Sequence, residues 1–324
     1  MYGGEFKQPL DDVVWPECLE ELFLGERFNQ YIVSVVWPSH LKRLIFDGSE
    51  FNQGLDGVAW AECLEQLHLG GSSTNPSRTQ SGLHLSRFNQ SLDGVVWPQR
   101  LEQLNLGGAF NRPITGVVWP TSLEQLHLGR AFNQPITNIV WHSSMKRWAS
   151  GGPAPCFRHK QPVMGSMRDH TILGGAFNQP IAGVAWPSFL KHLALGTNGI
   201  FDQPLDGVVW PASLEELTLE AKFNQPIAGV VWPSSLRRLL LSGSFNHALD
   251  GVVWSASLEE LTLAKTFNQP IANVVWPSSL RRLVISGSFN HPLDGVAWPK
   301  RLEELTFLGR KFNQPIANVV WPSS

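Results

Sequence analysis

The chain is poor in charge, in cysteine and in tyrosine, and it contains no long apolar run. Asp, Glu, Lys and Arg make up only 16% of the 324 residues, and 25 basic groups against 27 acidic ones leave a formal charge of −2. That balance gives no electrostatic footprint for nucleic acid or an anionic membrane surface. No apolar stretch approaches the roughly 20 residues that span a bilayer. The opening MYGGEFKQPLDD has neither the basic n-region nor the apolar segment of a secretory signal. Three cysteines in so long a chain exclude a disulfide scaffold and fit a reducing compartment, so the expected location is intracellular, in the cytoplasm. The motifs GxxxxGK[ST], HExxH, GxSxG and CxxC are also missing. No catalytic, cofactor or metal residue is assigned on that basis, and an enzymatic role is not expected.

What the chain has in quantity is 14 Trp, 18 Phe, 29 Gly and 23 Pro, beside only 2 Tyr. A short motif copied many times produces that mixture. Thirteen tryptophans, from Trp15 to Trp321, set the period: nine of the twelve steps are 22 or 23 residues. The step from Trp60 to Trp97 holds one repeat plus an insertion near 71–86, and the step from Trp141 to Trp186 holds two repeats with a degenerate coil near 142–176. The expected whole is a single repeat solenoid over 1–324 with about fourteen coils.

The unit reads L-x-x-L-x-L-x-x-x-F-N-Q-P-[IL]-x-[GN]-V-V-W-P-x-S, as in the stretch from Leu236 to Trp254. LxxLxL puts its second and third leucines on one face, the period of a strand. Two prolines per coil, such as Pro226 and Pro233, leave gaps too short for an α-helix. The fold class is therefore mainly β, with one parallel strand per coil in one parallel sheet and essentially no helix. Gly or Asn precedes the first Val in most copies (Gly57, Gly207, Asn138 and Asn273 among them), which predicts a left-handed corner. The Asn after Phe, from Asn29 to Asn313, is expected to stack in a column and satisfy turn backbone that no sheet reaches. Phe, Ile or Leu, Val and Trp are expected inside, the tryptophans as a core spine rather than a sugar-stacking or choline-binding surface.

With LxxLxL and FNQPI established, the chain resembles the FNIP-repeat family, a relative of leucine-rich repeats. FNQPIAGVVWPSSLRRLLL (223–241) and a dozen near-copies carry the resemblance over nearly the whole chain. It implies a leucine-rich-repeat-like solenoid used as a protein-binding platform. One departure is that Phe stands fourth and Asn fifth after the third leucine, where leucine-rich repeats usually have Asn third.

Function in such an array is written in the positions that differ between coils. Toward the C-terminus the pair before the second Leu alternates in sign: Glu215 and Glu216, Arg237 and Arg238, Glu259 and Glu260, Arg281 and Arg282, Glu303 and Glu304. Adjacent parallel strands would set each Glu row beside an Arg row, a register device that needs no ligand. The middle of the array breaks the rule with LEQLHL, LEQLNL and LEQLHL. Glu65, Glu102 and Glu124 would align, with Gln66, Gln103 and Gln125 beside them and His68, Asn105 and His127 beyond. A like-charge row without counterions suits an external protein or peptide of basic character. These nine residues are the candidate partner-binding site, on a non-enzymatic interaction scaffold. The competing readings are a structural spacer or end-to-end self-assembling module, or a fragment of a longer adaptor, because both ends stop in mid-unit without a polar cap. Two metal readings fail on donor count: His68 with His127, and the column of Cys18, His40 and Cys63, each lack a further ligand.

Overall fold

The computed structural model describes residues 6–46, 50–70, 86–151, 169–263, 265–309 and 311–321. The insertion near 71–86 and the centre of the degenerate coil near 142–176 therefore lie almost wholly outside the described residues. The chain forms two compact units, Met1–Arg168 with Gly175–Phe177, and Asp169–Gly174 with Asn178–Ser324.

In the first unit β1 (Glu21–Leu24), β2 (Arg43–Phe46), β3 (Gln66–His68), β4 (Gln103–Asn105), β5 (Gln125–Gly129) and β6 (Arg147–Ser150) pair parallel in chain order. The second unit does the same with β7 (His170–Gly174), β8 (His192–Thr197), β9 (Glu216–Leu219), β10 (Arg238–Leu241), β11 (Glu260–Leu263), β12 (Arg282–Ile285) and β13 (Glu304–Phe307). No helix occurs among the described residues, as the proline spacing requires. Among the described residues there are thirteen strands, where about fourteen coils were expected.

Each coil turns through tight corners closed by backbone bonds three residues long. In the coil of β9 these run from the Val208 N–H to Leu205 O at 3.2 Å, from Leu214 to Pro211 at 3.0 Å and from Phe223 to Glu220 at 3.1 Å. The first corner has the expected positive φ at Gly207 (72°) and at Asn138 (61°), but Gly229, Asn273 and Asn318 close the same turn outside that region. Gly and Asn are thus compatible with the corner without being forced into one geometry. A second left-handed corner, after the strand, was not foreseen. It holds Gly243 and Gly287 in alternate coils, with Ala221 and Lys265 in the coils between, each at φ 52°. A Cβ on Gly287 would collide with the Lys265 carbonyl.

The interior is built from columns. Phe51, Phe88, Phe110 and Phe132 are fully buried and stack at 6.1 to 6.2 Å. In the second unit Phe201, Phe223, Phe245, Phe267 and Phe289 repeat this at 6.2 to 6.3 Å. Strand leucines such as Leu67, Leu104 and Leu126 close the core behind the sheet. Burying one such side chain contributes roughly 1.5–3 kcal/mol. Trp37, Trp97, Trp119, Trp210, Trp232, Trp254, Trp276 and Trp298 lie inside, Trp15, Trp60, Trp141 and Trp186 are half-buried and Trp321 is exposed, and pairs such as Trp97–Trp119 and Trp254–Trp276 stack at 6.0 and 6.1 Å. Of the two valines only the first is inside. The second (Val36, Val96, Val118, Val140, Val209, Val231, Val253 and Val275) is 74% to 81% exposed, a distinction between the two valines that the sequence reading did not draw.

The Asn column does what its chemistry suggests. The Asn89 Oδ1 accepts the Asn111 backbone N–H at 2.9 Å, and Asn111 accepts that of Asn133 at 2.8 Å. The Gln134 amide reaches back to the Asn111 Oδ1 at 3.0 Å. In the second unit Asp202 takes the Asn place and accepts the Asn224 N–H at 2.8 Å. A further ladder comes from the Ser of the WPxS segment, with Ser122, Ser235 and Ser279 each donating to a leucine carbonyl of the coil before at 2.7 to 2.8 Å.

Two stability outcomes are expected from urea unfolding. Asn111→Ala leaves the half-buried Asn133 N–H without its acceptor and should cost about 1–3 kcal/mol, whereas Asn111→Asp should be tolerated, as Asp202 is. Lys265→Gly should stabilise by about 1 kcal/mol by releasing a left-handed lysine, and Gly287→Ala should destabilise by at least as much.

Candidate functional site

The nine sequence-predicted residues come together on one face of the first unit. Register sets Gln66 beside Gln103 and Gln103 beside Gln125, and in the same way His68 beside Asn105 beside His127. One residue earlier, the Glu102 N–H bonds the Glu65 carbonyl and the Glu124 N–H bonds the Glu102 carbonyl, each at 2.8 Å, so the three carboxylates also rise from adjacent coils. The site is therefore three parallel rows, acidic, amide and imidazole or amide, on a rigid strand surface.

The expectation of a row without counterions needs correcting. Lys146, just before β6, forms an ion pair with Glu124. At the other end Lys42 donates to Glu20 at 3.0 Å. This bond raises the Lys42 pKa, and the field of Glu65 adds a smaller contribution in the same direction. Glu65 and Glu102 carry no ion pair among the described residues. The acidic row is thus two open carboxylates between neutralised ends. The amide row is bracketed the same way, with Arg43 opposite Gln66 and Arg147 opposite Gln125. The flanking cations lie in MKRW (145–148), which repeats the phase of LEQL.

In the imidazole row His127 is held neutral. Burial, followed by the positive charge of Arg147 and by His68, lowers the His127 pKa to about 4. Burial also lowers the Arg147 pKa. Among the described residues no group of three or more His, Cys, Asp or Glu converges as a metal site. His40 instead lies 3.0 Å from the Glu17 carbonyl through Nδ1, and Cys18 and Cys63 are free thiols.

The second unit has a strand face of different character. Arg281 and Glu303 pair at 3.3 Å, Arg282 and Glu304 at 3.1 Å, Arg237 and Glu259 at 3.7 Å, and Arg238 lies 3.4 Å from Glu260 while also pairing with Glu216. The alternation expected from the sequence is therefore a ladder of ion pairs, each worth under about 1 kcal/mol at such exposure. At its start the His170 and His192 rings stack at 4.0 Å. Burial, then His170, lowers the His192 pKa against the opposing charge of Glu216.

These features place the chain among leucine-rich-repeat-like β-solenoids with a strand face that differs from coil to coil. The FNIP Repeat family model matches residues 110–140, 201–244 and 289–324, so the chain carries FNIP repeats, the family its motif resembled. Among solved structures it is similar to CroV588, described as a novel circular LRR protein, at 30% identity and a TM-score of 0.44 over 99% of this chain. The chain spans 54% of the length of that protein. It is also similar to an internalin, InlF, from Listeria monocytogenes, at 14% identity and a TM-score of 0.41, over 85% of this chain and 82% of that one. A comparison with curated proteins found no match.

The histidine row yields a pH prediction. An unfolded His titrates near 6.5 and the folded His127 near 4. Between those values the unfolded state binds the extra proton, so stability falls as pH drops from 6.5 to 4 and is insensitive to this group above that window. His127→Asn, which copies Asn105, should flatten the urea midpoint across that window. A His127 ring proton that titrates near 6.5 by NMR would contradict the assignment.

Proposed function

We propose that the chain is a non-enzymatic interaction scaffold and that a protein partner docks on the strand face of the first unit, over β3 to β5. The observation that supports this reading is the pair of open carboxylates, Glu65 and Glu102, in a face whose other charges are matched. A partner segment bearing one or two Lys or Arg residues would complete the row. Parallel amides on Gln66, Gln103 and Gln125 offer it donors and acceptors at the strand spacing of about 4.8 Å. The His127 imidazole, with its pKa lowered to about 4, adds a contact without a competing positive charge. Charge here serves association rate and selectivity more than raw affinity. The repeated core supports the reading from behind, because residues locked between stacked coils hold the variable ones in fixed register. Free cysteines fit a reducing, cytoplasmic setting for such a scaffold.

The test is a lysate pull-down with the 1–324 chain beside two variants of equal charge change. Glu65→Lys with Glu102→Lys alters the site, and Asp56→Lys with Asp93→Lys alters exposed corners away from the strands. Circular dichroism first establishes that all three are folded. A protein retained by the parent and by the corner variant, and reduced tenfold or more by the site variant, is the expected result. Equal retention by all three would remove the proposed face.

A further inference from the structure

Among the described residues twelve of the thirteen spine tryptophans have an aromatic ring stacked against them, and Trp60 has none. Its two neighbours stack away from it, Trp37 on Trp15 at 6.5 Å and Trp97 on Trp119 at 6.0 Å. The chain on either side of Trp60 is cut back as well. Ala59 and Ala61 stand where the coil before has Val36 and Pro38 and the coil after has Val96 and Pro98, and no other spine tryptophan has alanine on both sides. The missing bulk leaves a cleft of about 490 Å³ between the coils of Trp60 and Trp97, at the corner that precedes β3. Small-molecule sites run from roughly 300 to 1,000 Å³, with apolar walls and a few placed polar groups. Here the walls include the half-buried Trp60, Ala61 and Trp97, and the polar groups are Glu62 and Arg100.

Those two charges are opposite and exposed, and neither has an ion pair among the described residues. Arg100 has the same phase in its coil as Cys63, and its Nη1 donates to the Cys63 Sγ at 3.9 Å. The guanidinium therefore leans back over the coil of Trp60, beside Glu62. A thiol is a weak acceptor and takes only one of the five guanidinium donors.

We propose that this cleft is a small-molecule site and that its ligand is a free aromatic α-amino acid. The unstacked Trp60 offers its indole to a flat ring, and the two alanines leave room for one. Glu62 answers an ammonium group and Arg100 a carboxylate, which a guanidinium holds in bidentate fashion. Acid and base rise from adjacent coils about 4.8 Å apart, a separation that suits two charges carried on one carbon. A ligand with a single charge would leave one side of the rim unanswered. An aromatic side chain within a polypeptide brings the ring and neither charge.

A ligand-observed NMR titration of the full chain with L-tryptophan tests the proposal. Tryptamine, indole-3-propionate and N-acetyl-tryptophanamide run beside it, lacking the carboxylate, the amine and both charges in turn. L-tryptophan should bind with a Kd of about 1 mM or tighter, as a ligand of its size can in a half-open cleft. Each singly charged analogue should bind about tenfold more weakly, the worth of one charge-assisted hydrogen bond. Glu62→Gln should weaken L-tryptophan and leave indole-3-propionate unchanged, and Arg100→Gln should weaken L-tryptophan and leave tryptamine unchanged, because each analogue already lacks the group that the lost side chain holds. Both side chains are exposed, so these variants should keep the parent's circular dichroism. Ala61→Pro restores the ring that the adjoining coils carry at this place. The Ala61 N–H makes no backbone bond among the described residues, so the variant should keep its urea midpoint while losing the ligand. A parent that binds no L-tryptophan up to about 10 mM overturns the proposal. So does binding that Ala61→Pro leaves intact, which would place the ligand elsewhere. N-acetyl-tryptophanamide bound as tightly as L-tryptophan would replace the amino acid with an aromatic side chain of a polypeptide, and would equally overturn it.

Discussion

Everything else in this architecture depends on the satisfaction of extended backbone between one coil and the next. With no helix among the described residues, most N–H and C=O groups have no partner within their own coil, and buried orphans are costly. On the strand side the parallel ladder supplies the partners. At the opposite corner the Asn carboxamide does so, taking the next coil's backbone N–H at about 2.9 Å while the Gln amide returns to the coil before. That bond fixes the rise between coils at a point no sheet reaches. The Phe, Leu and Trp columns stack at one pitch because the amide column and the strand ladder agree on it. Asp202 makes the rule concrete: the residue can change as long as an oxygen remains in the same place.

Such a scaffold separates stability from recognition. Core positions are nearly identical in every coil and so cannot encode a partner, whereas the strand-face positions vary freely because nothing behind them depends on their identity. The two units use that freedom differently. In the second unit the charges answer each other across neighbouring strands, giving a face that is electrostatically complete. In the first, cations are placed only at the ends of an acidic row, and its middle is left open. A neutral His127 beside Arg147 adds to that asymmetry, since burial lowers the imidazole pKa to about 4.

Much of this was legible in the sequence because period is a strong signal. Strand position, parallel pairing, the absence of helix and the amide column all follow from residues that recur at a fixed spacing. The left-handed corner was read correctly at Gly207 and Asn138 but too broadly at Gly229, because a residue type that permits positive φ does not require it. The second left-handed corner escaped notice because Ala221 and Lys265, which carry no such signal, alternate there with Gly243 and Gly287. The two adjacent valines are indistinguishable by composition, and only strand alternation within the turn decides that the first points in and the second out. Within the candidate site the nine side chains could be aligned from register alone. The counterion Lys146 was missed because a rule read from the Glu and Arg coils was not carried across the boundary of the degenerate segment.

The central claim is that recognition resides in the variable strand face of the first unit and not in the repeated core. The most direct test is amide hydrogen exchange of the 1–324 chain, alone and saturated with a captured partner. The account predicts added protection in 65–68, 102–105 and 124–127, with the Asn column protected equally in both states. Protection that falls instead on the strands of the second unit, or on no strand at all, would contradict it.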